Sequence, residues 1–229
     1  NITADDIESG WAGVRPLISQ EGKGASEISR KDETWVSDSG LITIAGGKLT
    51  GYRKMAENVV DLVAKQFSQE GYKVFGGCAT EKMPISGGHV DGSKAFADYI
   101  KQQKANAAGT GLSGQEAEQL VSRYGSNAPI LFDIARESAE EAEKAGLPLV
   151  LLTKLKYAIQ HEMVYTPVDF LNRRTSMILF DIHSTEKWKK QIIDYMAEAL
   201  SWTEKQKEDY TKELEEELYF AVNAQADAD

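Results

Sequence analysis

The chain has 229 residues, 41% of them apolar and 27% charged, with 36 acidic against 26 basic side chains and a net charge of −10. That length and apolar content suffice for one or two domains with buried cores, and the acidic balance excludes nucleic acid or an anionic membrane surface as a partner of these residues. There is no apolar run of the roughly 18 residues a membrane span requires, and the single cysteine, Cys78, excludes an internal disulfide and fits a reducing compartment. The opening Asn1-Ile2-Thr3-Ala4-Asp5-Asp6 is polar and acidic, unlike a secretory leader, and the lack of an initial Met is read as the mark of a fragment or a processed form.

The first part is mixed in type. Asp5 to Ser9 suits a short helix. Trp11 to Ile18 reads as extended, because Pro16 restricts Arg15 to β or polyproline geometry. Residues 20–26 form a polar turn. Thr34–Val36 and Leu41–Ala45 are strand candidates, separated by Ser37-Asp38-Ser39-Gly40 at a spacing that suits a hairpin. A helix is then expected from after Gly47 to about Gln66, carrying Met55, Val59, Val60, Leu62 and Val63. Residues 68–92 are glycine-rich and aperiodic, and read as a linker with one short extended piece at Lys73–Phe75.

From about Ser93 the pattern is helical. Phe96, Tyr99 and Ile100 share a face. Ser113-Gly114-Gln115-Glu116 is a capping box, followed by Ala117, Leu120, Val121 and Tyr124 at helical spacing, and Gly125 is a C-terminal stop. Pro129 sits in a first turn before Ile130, Leu131 and Ile134. Leu151, Leu152, Leu155 and Ile159 make another stripe. Thr166-Pro167-Val168-Asp169 combines an N-cap, a proline at the first helical position and an acid. Ser184 is read as the cap of a helix with Trp188, Ile192, Tyr195, Met196 and Leu200. Ser201-Trp202-Thr203-Glu204 is read as a second capping box, ahead of Tyr210, Leu214, Leu218 and Ala221. The last six residues are expected to fray. Each apolar stripe is narrow and needs a neighbour, so a helical bundle is the expected solution. The fold class is mainly α: a small α/β part over 1–67, a linker over 68–92 and a helical domain over 93–229.

The stretch with most chemistry is Leu41-Ile42-Thr43-Ile44-Ala45-Gly46-Gly47-Lys48-Leu49-Thr50. A strand, a Gly-Gly turn and a helix N-terminus together form a geometry that receives an anion or a polarised oxygen. It is not a nucleotide P-loop, which needs glycine where Ile42 stands and Ser or Thr where Leu49 stands. Nor does this turn carry the dinucleotide pattern. Read alone, such a turn is structural more often than it binds a ligand, by about two to one. Elsewhere His161-Glu162 lacks the second histidine of a zinc-binding helix, no nucleophile elbow occurs, and the acidic run 213–217 suits a solvated helix face. Cys78 has no basic neighbour in sequence and reads as a passive thiol.

Three ordered segments change the reading. Trp11-Ala12-Gly13-Val14-Arg15-Pro16-Leu17, then Ile28-Ser29-Arg30-Lys31-Asp32, then Ile42 through Glu57 resemble the FAD-dependent glycerol-3-phosphate dehydrogenases and α-glycerophosphate oxidases. Asp169-Phe170-Leu171-Asn172-Arg173-Arg174-Thr175 resembles the helical C-terminal domain of the same family. Gly51 departs from the pattern of many members.

The resemblance implies a role in oxidising the C2 alcohol of glycerol 3-phosphate to dihydroxyacetone phosphate. Hydride passes to FAD, and electrons go on to O₂ in oxidases or to a quinone in dehydrogenases. It assigns Arg15 and Arg30 to the substrate phosphate, a task suited to the guanidinium fork. It places Lys48 at the catalytic end, beside flavin and substrate. Gly46, Gly47, Leu49 and Thr50 would present backbone N–H groups to the flavin ring, where a helix N-terminus favours the negative charge that hydride transfer leaves. Arg53, Arg173 and Arg174 are read as structural.

The family's proton-accepting base and its ADP-binding glycines belong to the N-terminal remainder of the enzyme. The fragment alone is therefore expected to be inactive and to hold no FAD. The alternative is a non-catalytic helical interaction module, with self-association into a homodimer. The implied location is cytoplasmic, or peripheral on a membrane in the quinone-linked case.

Overall fold

The computed structural model describes residue 3 and residues 6–14 and 32–223. Arg15, Arg30, the polar turn over 20–26 and the six C-terminal residues lie outside the described residues. The chain divides into two compact units. One runs from Gly13 to Pro84, and the other takes the residues up to Ala12 together with those from Ile85 onward.

Among its described residues the smaller unit is built on a hairpin and a helix. Strands β1 (Asp32–Val36) and β2 (Ile42–Gly46) pair antiparallel, with Thr34 opposite Ile44 and Trp35 opposite Thr43. Their turn closes through the Ser37 and Gly40 amides, which donate to the carbonyls of Leu41 and Ser37 at 2.9 Å each. A 3-10 turn at Leu49–Gly51 then feeds helix α1 (Tyr52–Gln69). None of this unit's described residues is buried. Trp35, Val36, Ile44, Val60 and Phe67 are all exposed. Two strands and one helix with no enclosed core are marginal in water. Beyond α1 the chain is irregular, and Lys73–Phe75 is not extended into a strand.

The larger unit is helical. It holds α2 (Phe96–Asn106), α3 (Gly114–Tyr124), α4 (Ala128–Glu137), α5 (Ala139–Ala145), α6 (Leu149–His161), α7 (Met177–Phe180), α8 (Ile182–Ala199) and α9 (Glu204–Val222). Two cores form. Leu120, Val121, Leu131 and Phe132 fill one, and Leu152, Leu155, Phe170, Ile192, Met196 and Leu214 fill the other. Helix α6 serves both, sending Tyr157 into the first and Leu152 and Leu155 into the second. The N-terminal segment joins this unit rather than forming a helix of its own over residues 7–9. The Gly10 amide donates to the Ala221 carbonyl at 2.8 Å, and the Ser9 hydroxyl to the Leu179 carbonyl at 2.7 Å.

Helix starts follow local chemistry, with two corrections. Ser113 and Glu116 form the expected capping box of α3. The α8 cap is Asp181, whose carboxylate accepts from the Ser184 amide, so Ser184 lies inside the first turn. The α9 box is Thr203 with Gln206, not Ser201 with Glu204. Ser201 sits at φ 53° in the turn between α8 and α9, two residues ahead of the Thr203 cap. Thr203→Ala is accordingly expected to cost about 1 kcal/mol of stability, whereas Ser201→Ala stays within about 0.5 kcal/mol of the parent. Equal shifts of the two denaturant midpoints would refute this placement of the cap.

A π-helical turn, Asp169–Arg174, was not foreseen. It is closed by Thr175, whose amide and hydroxyl both donate to the Phe170 carbonyl, at 2.9 and 2.7 Å. Thr166 and Asp169 cap its start reciprocally, at 2.9 and 3.3 Å. Burial pushes the Asp169 carboxyl up, but the Thr166 and Tyr165 amides and the Arg173 guanidinium outweigh this and hold it below the usual carboxylate range.

Candidate functional site

The Gly46–Thr50 turn sits where β2 ends and α1 begins. Gly46 and Gly47 take φ of 80° and 79°, a left-handed pair that only glycine occupies at little cost. A Cβ on Gly47 would also come within 2.7 Å of the Met55 sulfur. The paired glycines carry the chain from the end of β2 into the 3-10 turn that leads to α1. The first bond of the turn runs from the Gly51 amide to the Lys48 carbonyl at 2.8 Å. The amides before it, at Leu49 and Thr50, therefore have no helical partner.

Lys48 is extended, at φ −108° and ψ 145°. Its side chain and those of Leu49 (92% exposed) and Thr50 project into solvent. Lys48 makes no ion pair among the described residues. Chemically the turn offers two backbone donors, the partial positive charge of a helix start and one ammonium group. That combination fits an electron-rich oxygen on a flat ring, with the glycines allowing close approach. A flavin carries such an oxygen, so these residues suit that cofactor.

The remaining arginines separate by partner. Arg53, next on α1, donates to the Thr80 carbonyl and lies over the Tyr52 ring, and so is occupied within its own unit. Arg173 is ion-paired with Asp169 at 2.7 Å. Arg174 donates instead to the Glu162 carbonyl at 2.7 Å. Arg15 and Arg30 lie outside the described residues. Cys78 is exposed, with its sulfur 3.1 Å from the Thr80 hydroxyl. No cluster of metal-ligating side chains occurs among the described residues, and no described helix is long and apolar enough to cross a membrane.

One pattern passed unnoticed in the sequence. Gly109-Thr110-Gly111-Leu112-Ser113-Gly114 matches the glycine spacing of dinucleotide-binding turns. It joins α2 to α3, whereas a dinucleotide turn joins a strand to a helix. The Glu116 carboxylate also occupies the start of α3, taking the Ser113 amide at 2.7 Å. An acid there repels a pyrophosphate, so this turn is a helix connection.

Residues 78–207, more than half of the chain, match the family model described as the C-terminal domain of alpha-glycerophosphate oxidase. The aerobic glycerol-3-phosphate dehydrogenase of Bacillus subtilis is 52% identical over 97% of this chain and 40% of its own length. Its namesake from Staphylococcus epidermidis is 50% identical over 94% of this chain and 38% of its own length. The chain thus spans about two fifths of the curated relatives it matches. The X-ray structure of glycerol-3-phosphate dehydrogenase from Bacillus halodurans complexed with FAD superposes on all of this chain with a TM-score of 0.87 and 42% identity. The match covers 43% of that chain.

Proposed function

We propose a function from the premise that this chain belongs to the FAD-dependent glycerol-3-phosphate dehydrogenase and α-glycerophosphate oxidase family, whose C-terminal domain model it matches. It supplies the C-terminal part of an enzyme that oxidises glycerol 3-phosphate to dihydroxyacetone phosphate. The rest of the length its relatives carry supplies the remaining site. Bound FAD is the hydride acceptor of that reaction. Between oxidase and dehydrogenase chemistry, the names of the relatives favour the dehydrogenase.

The observation that carries this reading is the left-handed Gly46–Gly47 turn, followed by two amides with no helical partner and by the exposed Lys48. The amides of Leu49 and Thr50 hold the polar edge of the flavin ring, and the left-handed glycines keep side chains out of that approach. Lys48 brings a positive charge to a chain of net charge −10, where an anionic substrate needs local compensation. Arg15 and Arg30 grip the phosphate end, so that the alcohol end is directed towards Lys48. Burial against the remainder of the enzyme also accounts for a hairpin and helix with no enclosed core.

In the full-length enzyme, Lys48→Ala is expected to retain FAD and to slow anaerobic flavin reduction by glycerol 3-phosphate about 10²-fold, the loss typical of one preorganised electrostatic group. Unchanged single-turnover reduction would remove Lys48 from the site. Loss of flavin itself would make it a binding residue only.

A further inference from the structure

In the helical unit, the ends of α3, α6 and the π turn surround a cavity of about 680 Å³, a size typical of small-molecule sites. One wall is the segment Ser86–Val90, and it is pinned. The Gly87 carbonyl accepts from the Ser126 amide at 3.0 Å, Asn127 donates to the Ser86 hydroxyl at 2.8 Å, and the His89 amide donates to the Ser126 hydroxyl at 3.3 Å. Another wall is aromatic. Tyr124 and Tyr157 meet edge to face with centroids 5.1 Å apart, and His161 stacks on Tyr157 at 4.9 Å. The cavity is thus formed before any ligand arrives.

Its charge is unusual for this chain. Arg123 and Arg174 line the cavity together with one acid, Glu162, so that the lining still carries a net positive charge. Arg123 donates to the Arg174 carbonyl and Arg174 to the Glu162 carbonyl, and neither guanidinium forms an ion pair among the described residues. Lys154, close enough to Arg123 to be affected by its charge, also has no ion pair among the described residues. Burial, and then the Arg123 charge, hold its ammonium below the usual lysine range. Arg123 also hydrogen-bonds to the Tyr124 hydroxyl, whereas capping the Glu162 carbonyl uses one donor of Arg174; each guanidinium has five N–H donors, so both keep some for a ligand. The partial charges of the helix C-termini, about half a unit each, do not cancel these cations.

We propose that this cavity binds a small phosphomonoester attached to a flat ring. The phosphate is held between Arg123 and Arg174, and the ring lies on the exposed side of His161, which stacks on the buried Tyr157. With Lys154 beside Arg123 and the Glu162 carboxylate on the lining, two positive charges remain, which a dianion compensates and a single carboxylate cannot. The proposal rests on this cavity alone and is independent of the flavin reading.

Phenyl phosphate, inorganic phosphate and phenol are the probes, titrated calorimetrically into the 229-residue chain at constant ionic strength. Phenyl phosphate is expected to saturate one site with a dissociation constant of about 1 mM or tighter, and to bind about tenfold more tightly than inorganic phosphate because of ring contact. Phenol alone is expected not to bind. Ser122→Glu places a carboxylate on the exposed rim beside Arg123 without touching the hydrogen-bonded frame. It should abolish phosphate and phenyl phosphate binding at an unchanged thermal midpoint. Arg174→Gln should weaken both. No saturable binding of phenyl phosphate, or binding that survives Ser122→Glu, would overturn the proposal. Equal affinity for phenyl phosphate and inorganic phosphate would overturn the ring half of it.

Discussion

Gly125→Ala is expected to destabilise the helical unit by about 3 kcal/mol or more. Gly125 ends α3 at φ 53° and ψ −126°, a conformation that costs any residue with a Cβ. The added methyl would also overlap the carbonyl oxygen of Gly87, a backbone atom that no rotamer change can move aside. Gly87 presses back in the same way: at φ 82°, its own Cβ would lie 2.8 Å from the Tyr124 carbonyl oxygen. Relief requires separating the Ser86–Val90 segment from the α3–α4 junction, with loss of the Ser126 amide bond to Gly87. For a unit of this size the thermal midpoint should fall by roughly 6–12 °C. Gly114→Ala is the control, since nothing lies near its Cβ, and it should shift stability by no more than about 1 kcal/mol. Matching midpoints for the two variants would show that the glycine contact is not a structural constraint.

In the full-length enzyme, Arg15→Ala and Arg30→Ala should each lower kcat/KM for glycerol 3-phosphate by roughly 10- to 100-fold, the value of one charge-assisted hydrogen bond of about 1.5–3 kcal/mol. Most of the loss should fall on KM, because the phosphate is distant from the bond being broken and its binding is shared by ground and transition states. Glycerol, which lacks the phosphate, should be oxidised as poorly by the variants as by the parent. Equal proportional losses on both substrates would show that these arginines do not read the phosphate. The two effects are expected to be non-additive in the double variant if both grip one dianion, since neighbours on one ligand couple.

The candidate site was legible in the sequence through its order of motifs. The Gly46-Gly47-Lys48 run behind a β-branched strand named the turn, and the Ser37–Gly40 spacing indicated the hairpin, whose register the structure supplies. The same reasoning overlooked Gly109–Gly114, where glycine spacing alone mimics a nucleotide turn. Spacing carries no information about whether a strand or a helix precedes it, and here α2 does. The caps at Ser184 and Ser201 were misplaced by three and two residues, against Asp181 and Thr203. Several polar residues near each boundary can cap, and the choice depends on where the preceding helix must turn.

By itself the sequence determined the features that near neighbours decide. These are the helix faces, the Ser113–Glu116 box, the tight hairpin and the motif order that marks the family. Each depends on residues within a few positions of one another, so pattern and composition suffice. Only the tertiary structure decided the sharing of α6 between two cores and the Gly87–Gly125 contact. The same holds for the capture of residues 9 and 10 by α7 and α9, and for the meeting of Arg123 with Arg174 around a cavity. Such contacts join residues tens to hundreds of positions apart. Their geometry is set by which packed arrangement excludes most water while satisfying the buried backbone, a property of the whole unit that no local window contains.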